Sequence, residues 1–311
     1  MLGVVLWMVC SALPTMAQKG WNSANFLLIE PNPTSVALGN TGVALVQDHG
    51  ASFWNPALLA SQRHTAISAT YSNWLANLGG SQSHSYITGH TKLRSLFPSI
   101  QPSRFTTGYV SADITFLNLG EQMATNAVGA EIGTFKNYEY SIRASYGSQV
   151  WETMAFGVGL QFITSSLGAN QRSGGKVIHK GRSLALNVGG LWDAPSFELQ
   201  GITMYPTVGA SLTNFGRGLT YMDGQEPIAL PLTLRLGSTL EFDVDEKKRH
   251  TITLTNEFKK LLVRRDSEQK DGYTAWSSRG ALASLFTAWG AVDVQDAGGT
   301  SRLGIFEQFS M

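Results

Sequence analysis

Residues Tyr138 to Tyr146 read YEYSIRASY. Successive side chains on a β-strand point to opposite faces. Tyr138, Tyr140, Ile142, Ala144 and Tyr146 therefore share one face, and Glu139, Ser141, Arg143 and Ser145 share the other. One side is aromatic and aliphatic; the other carries hydroxyls and two opposite charges. Helical spacing explains neither set. The same division recurs along the chain. Val110, Ala112, Ile114 and Phe116 oppose Ser111, Asp113 and Thr115. Phe156, Val158, Leu160 and Phe162 oppose Gly157, Gly159 and Gln161. Leu232, Leu234, Leu236, Leu240 and Phe242 oppose Thr233, Arg235, Thr239 and Glu241, and Ile252, Leu254 and Phe258 oppose Thr251, Thr253, Thr255 and Glu257.

Read this way, the sequence predicts eleven strands: 64–75, 85–93, 105–117, 136–147, 153–165, 182–193, 204–215, 232–242, 250–263, 282–294 and 302–310. Most are longer than the roughly five or six residues of soluble sheets. They match the roughly 9–11 residues that a tilted strand needs to cross a bilayer. From residue 118 onward the connections alternate in length. Stretches 118–135, 166–181, 216–231 and 264–281 are long; 148–152, 194–203, 243–249 and 295–301 are shorter. Bacterial outer-membrane barrels sort their connections this way, long outside and short in the periplasm. A soluble β-sandwich or jelly roll has no such reason. The expected fold is all-β, a transmembrane antiparallel barrel.

Composition agrees. Charged residues make up 14% of the 311 residues, against about 25% in soluble domains. A mean hydropathy of -0.04 is too polar for a helical membrane protein. The net charge of +1 gives no electrostatic reason to expect nucleic acid. Residues Leu2 to Ala17 are apolar, and Thr15-Met16-Ala17 before Gln18 reads as a signal-peptide cleavage site, although a positive n-region is absent. The one cysteine, Cys10, lies inside that segment; Val9 before it argues against a lipoprotein. The domain reading is a signal peptide over 1–17, an N-terminal hatch over 18–61 and a barrel over 62–311.

The stretch Asn32 to Ala60, NPTSVALGNTGVALVQDHGASFWNPALLA, precedes the first strand. Gly39 and Gly42 permit a backbone turn in a crowded space. Asp48 follows, then Phe53 and Trp54 run into Asn55, Pro56 and Ala57. Pro56 biases Asn55 to an extended conformation, Asn55 can bond its own backbone nearby, and the two aromatics can anchor the segment to a barrel wall.

This stretch resembles the hatch of the FadL superfamily of outer-membrane barrels, and more closely that of its PorV branch in the Bacteroidetes type IX secretion system. The resemblance runs from about Phe26 to Gln308. Further matches are TYSNWLANL (70–78), FLNLGE (116–121), LTNFGRGLTY (212–221), LPLTLRLG (230–237) and NEFKKLLV (256–263). PorQ is a related alternative. The likeness implies a protein that receives cargo bearing a C-terminal signal domain and passes it to surface attachment machinery. It implies as partners the translocon barrel SprA (Sov), the sortase-like PorU and the cargo signal domains, within outer-membrane lipid and lipopolysaccharide. The long connections, with Tyr221, Met222 and Asp223 in 216–231, would supply the cargo surface. A FadL-type channel for hydrophobic molecules is the second reading; it expects an apolar pocket beside Phe53 and Trp54. The family closes with fourteen strands, so eleven imply an incomplete barrel, truncated at its C-terminus, with strand 302–310 facing strand 64–75 across a gap.

No catalytic constellation emerges. No Gly-x-Ser-x-Gly elbow occurs, and no His-Glu-x-x-His. The PorV branch has been linked to lipid A deacylation, but no Ser/His/Asp set can be identified. The six histidines lack ligand spacing; His84 and His90 share a face and read as lumen residues. No metal or cofactor is expected. Lys259, Lys260, Arg264 and Arg265 read as interface residues that snorkel or meet lipid A phosphates.

Overall fold

The computed structural model describes residues 22–45, 50–74, 82–126, 128–173, 175–243, 250–263, 265–270, 273–278, 280–288, 292–296 and 299–303. Nine strands form one curled wall: β1 (Ala66–Asn73), β2 (Ser83–Lys92), β3 (Tyr109–Thr125), β4 (Glu131–Trp151), β5 (Met154–Ser166), β6 (Gly181–Asp193), β7 (Ile202–Gly216), β8 (Thr233–Asp243) and β9 (Thr251–Leu261). Each pairs antiparallel with the next. Among the described residues β1 and β9 are the two edges of the arc and do not pair with each other.

Burial is inverted relative to a soluble domain. On β4, Ile142 is 48% exposed while Arg143 beside it is 5% exposed. Ile114, Phe116, Phe156, Val158, Leu160, Leu184, Val208, Leu236 and Phe258 are exposed on the outer face, and Asp113, Thr115, Ser141, Ser145, Gln161, Asn187, Ser211 and Arg235 are buried on the inner one. Phe116, Tyr138, Tyr140 and Phe162 form an outer ladder with ring centroids 6.2 to 6.5 Å apart. Leaving such a side chain in water forgoes about 1.5–3 kcal/mol of burial apiece, so this face calls for lipid. A β-sandwich would bury its apolar face and solvate its polar one. No helix among the described residues is long and apolar enough to cross a membrane; the membrane-facing surface belongs to strands.

The connections at one end of the wall include the two-residue turn Glu152–Thr153 between β4 and β5, but the connection 93–108 between β2 and β3 is longer and carries a helical turn, Leu93–Leu96. Those at the other end are built up, and here the structure corrects the sequence reading. Stretch 118–135, expected as a loop, continues the ladder from Glu121↔Lys136 to Thr125↔Glu131 past a register shift. Gly120, at φ 79°, makes that shift, and its N–H donates to Asn118 Oδ1 (3.0 Å). β4 thus reaches 21 residues. About ten suffice to cross lipid; the residues Glu131–Lys136 beyond the register shift extend the hairpin by roughly 20 Å. Strands that stand in water on both faces lose the apolar–polar alternation, which is why this hairpin was not legible.

Two further corrections fall after β9. Stretch 264–281 holds a hairpin, Arg265–Lys270 with Tyr273–Ser278. The expected strand 282–294 begins instead as a helix, Ala281–Thr287. Leu285 and Ala288 recur at helical spacing and pack against Leu232 and Leu262. Leu232, expected on the lipid face, is therefore buried just ahead of β8. A short hairpin, Val292–Asp296 with Gly299–Leu303, follows. So nine of the eleven expected strands build the wall. Residues 304–310, and with them the expected gap between strand 302–310 and strand 64–75, lie outside the described residues, as do the signal peptide and Arg264.

Candidate functional site

The inner face is covered by the chain's own N-terminal segment. It starts at the end with the long connections. Ser23 N–H donates to Ala229 O (2.8 Å), and its Oγ to Ile228 O (2.8 Å). Phe26 and Leu27 then fill an apolar recess formed by Leu117, Ile163, Ala185, Leu219 and Leu230. Helix Pro33–Ala37 is capped by Asn32, whose Oδ1 accepts from Thr34 N–H (2.8 Å). Helix Ala51–Trp54 and the 3-10 turn Pro56–Ser61 lead to β1 at the short-turn end.

Gly39 and Gly42 do different work. Gly39 sits at φ +80° with open space around it, so it makes the left-handed turn. Gly42 needs no such freedom; a Cβ there would lie 2.3 Å from the Trp54 indole. Close approach, rather than a turn, requires this glycine. Phe53 meets Trp54 and Tyr86 edge to face at 5.5 and 6.1 Å. Asn55 is fully buried. Its amide donates to Val43 O (2.9 Å) and Gly190 O (3.1 Å), and its Oδ1 accepts from Ala57 N–H (2.9 Å). Pro56 and Ala57 are buried beside it. Asp48 lies outside the described residues.

Two lumenal arginines clamp the aromatic pair. Arg143 stands 5.5 Å over the Phe53 ring, and its Nη1 donates to Ser52 O (3.0 Å) and Phe53 O (3.3 Å). Arg235 stands 4.6 Å over the Trp54 ring. It also pairs with Glu257 (2.5 Å) and Glu30 (3.1 Å), all three side chains being at most 5% exposed. Glu257 Oε2 accepts from Gly42 N–H (2.8 Å) and Val43 N–H (2.9 Å), and Lys259 adds a contact to Glu30 (2.9 Å). Asp113, on β3, accepts from Ser52 Oγ (2.9 Å), Tyr86 Oη (3.1 Å) and Thr88 Oγ1. Every buried charge named here has a partner, as burial requires.

The wall makes room through a row of inner-face glycines. A Cβ on Gly147 would meet Pro56 O at 2.4 Å; on Gly157, Pro56 C at 2.2 Å; on Gly189, Asn55 Oδ1 at 1.9 Å; on Gly209, Val43 O at 2.3 Å; on Gly237, Val43 Cγ1 at 2.6 Å. Gly147, Gly157 and Gly189 are directly paired across β4, β5 and β6, and Gly209 with Gly237 across β7 and β8. Sequence reading noted Gly157 as inward but missed the row. Glycine at one inward position of five successive strands was the available signal, visible only once register is known.

At the long-connection end, stretch 216–231 is bridged at Leu219↔Ile228. Tyr221 Oη donates to Ser165 Oγ (2.9 Å), and burial pushes its phenol up to about 12. Asp223 is exposed, 3.6 Å from His179, and Lys176 Nζ donates to its carbonyl (3.1 Å); Met222 is half-buried. Tyr221 thus anchors this connection while Met222 and Asp223 crown it. His84 and His90 are buried on the inner face.

An apolar-outside, polar-inside meander with a plugged inner face and long hairpins at one end defines a bacterial outer-membrane β-barrel. Residues 18–268 match the family model described as Type IX secretion system protein PorV. The chain belongs to the PorV family, outer-membrane components of type IX secretion and not a known enzyme family. No curated protein matches the chain.

Proposed function

We propose that this protein sits in the outer membrane, receives secreted cargo bearing a C-terminal signal domain, and passes it to the surface attachment complex. Its long-connection end then faces outward, and its partners are the SprA (Sov) translocon barrel, sortase-like PorU and the cargo signal domains. Family membership carries this reading. The filled inner face supports it over a hydrophobic-molecule channel. Trp54 is completely buried under Arg235, and the apolar recess near the outer end is occupied by Phe26 and Leu27. A wall that holds a fixed plug suits a platform that works through its outer connections. The crown residues Met222 and Asp223 are the candidate cargo contacts. The double change Met222→Ala, Asp223→Ala, which spares the Tyr221 anchor, should reduce capture of a purified cargo signal domain while leaving membrane insertion intact. Cargo capture and release at the parental level in that variant would refute the assignment of this loop; uptake of a labelled fatty acid would favour the channel.

A further inference from the structure

At the end of the wall where the plug leads into β1, a cleft of about 390 Å³ opens between Ala60 of the plug, Gln62 and Arg63 of the link to β1, Thr107 and Gly108 of the β2–β3 connection, and Lys92, Tyr109 and Gln149 of the wall. Its volume is that of a small-ligand site. Its lining is cationic without an acid: Arg63 and Lys92 contribute two positive charges, and among the described residues neither has a carboxylate partner. Tyr109 is 4% exposed, and its Oη is buried with no hydrogen-bond partner. A buried hydroxyl left unpaired costs about 1–3 kcal/mol, and the side chain that carries it lines the cleft beside Lys92. Lys92 Nζ lies 6.0 Å from the Tyr109 ring centroid.

The walls are fixed in advance. Gly108 N–H donates to Tyr146 Oη (3.2 Å), Tyr146 Oη donates to Phe105 O (2.7 Å), and Ser148 Oγ donates to Arg104 O (2.6 Å). A Cβ on Gly108 would lie 2.1 Å from Gly147 O, so this wall admits only glycine. An adjoining open cleft shares Thr107 and Gln149 and adds one cation, Arg104, and one acid, Glu152.

From this geometry we infer that the cleft binds a phosphate group. Guanidinium, ammonium, phenol and Thr107 hydroxyl are four donor groups lining one volume, and the Gln149 amide, which already donates to Glu152 O (2.6 Å), adds its second N–H. A tetrahedral oxyanion has acceptors for that many, whereas a planar carboxylate has two oxygens. The lining offers no hydrocarbon groove, so the ligand is a polar headgroup or free phosphate rather than an acyl chain. The cleft lies at the wall end where β2 stops and β3 starts.

The test uses the full chain in detergent, titrated calorimetrically with inorganic phosphate, glycerophosphoglycerol and, as planar control, acetate. Phosphate or glycerophosphoglycerol should bind and acetate should not; the tighter of the two identifies free phosphate or a lipid headgroup as the source. Arg63→Gln with Lys92→Gln should weaken binding at least tenfold, and Tyr109→Phe, which preserves packing, several-fold. Heat-modifiable migration and the β-sheet circular dichroism of each variant report whether the wall is still folded. Equal binding of acetate, absence of binding by both phosphate probes, or unchanged affinity in the folded double variant would overturn the inference.

Discussion

Gly189 and Gly190 are neighbours in sequence but face opposite sides of β6, so alanine at each position isolates the packing of the plug. A Cβ on Gly189 would stand 1.9 Å from Asn55 Oδ1 and 2.8 Å from its Cγ. Ordinary contact lies near 3.5 Å, so Asn55 must retreat by roughly 1.5 Å. That retreat breaks its bonds to Val43 O, Gly190 O and Ala57 N–H. Three buried hydrogen bonds, together with overpacking, put the loss at about 2–4 kcal/mol of plug docking. A Cβ on Gly190 would make only ordinary contacts, with Phe156 at 3.6 Å and Ala155 O at 3.9 Å; that change should be neutral or slightly stabilising, since glycine weakens a strand by about 0.5–1 kcal/mol. The assay is maleimide labelling of Ala51→Cys, a position 1% exposed within the plug, in a background where Cys10, the only cysteine, is removed. If labelling requires plug opening, Gly189→Ala should accelerate it roughly 30- to 1,000-fold and Gly190→Ala should leave it unchanged. Equal labelling of the two variants would show that the inner glycines do not seat the plug, and the packing argument would fail.

Three other outcomes follow from the same contacts. Arg235→Gln leaves Glu30 and Glu257 buried and short of a charge, which should cost about 3–5 kcal/mol and expose the plug to the same maleimide probe. Asp113→Asn weakens the acceptor shared by Ser52, Tyr86 and Thr88 and should lower the urea midpoint by about 1–3 kcal/mol equivalent. Because the Tyr221 phenol is raised to about 12, the folded loop holds its proton more tightly than the unfolded chain. Protection of the 216–231 connection from protease should therefore be constant below about pH 10 and fall between about pH 10 and 12; Tyr221→Phe should abolish that fall.

The wall was legible because lipid and lumen impose opposite demands on adjacent residues. Ile142 and Arg143 can be assigned to their faces from the alternation alone. The outer hairpin over 118–135 was not legible, because water surrounds both its faces. The segment 282–294 was misread because Leu285 and Ala288 answer to Leu232 and Leu262, a contact that strand periodicity cannot anticipate. In the plug, the aromatic pair, Asn55 and the left-handed turn at Gly39 were recognisable by residue type. The partners of those residues were not.

What the sequence determined by itself is the alternation that makes a membrane wall, the plug ahead of it, and the resemblance that points to secretion. The tertiary structure alone decided which glycines give the plug room, that Gly42 serves the Trp54 indole rather than a turn, and that Arg235 joins Glu30, Glu257 and Trp54 in one cluster. The physical reason is range. A face is set by the residue next door and the solvent opposite, whereas a clamp between residues 30, 54, 235 and 257 exists only after the strands have found their register and curled the wall around the segment that fills it.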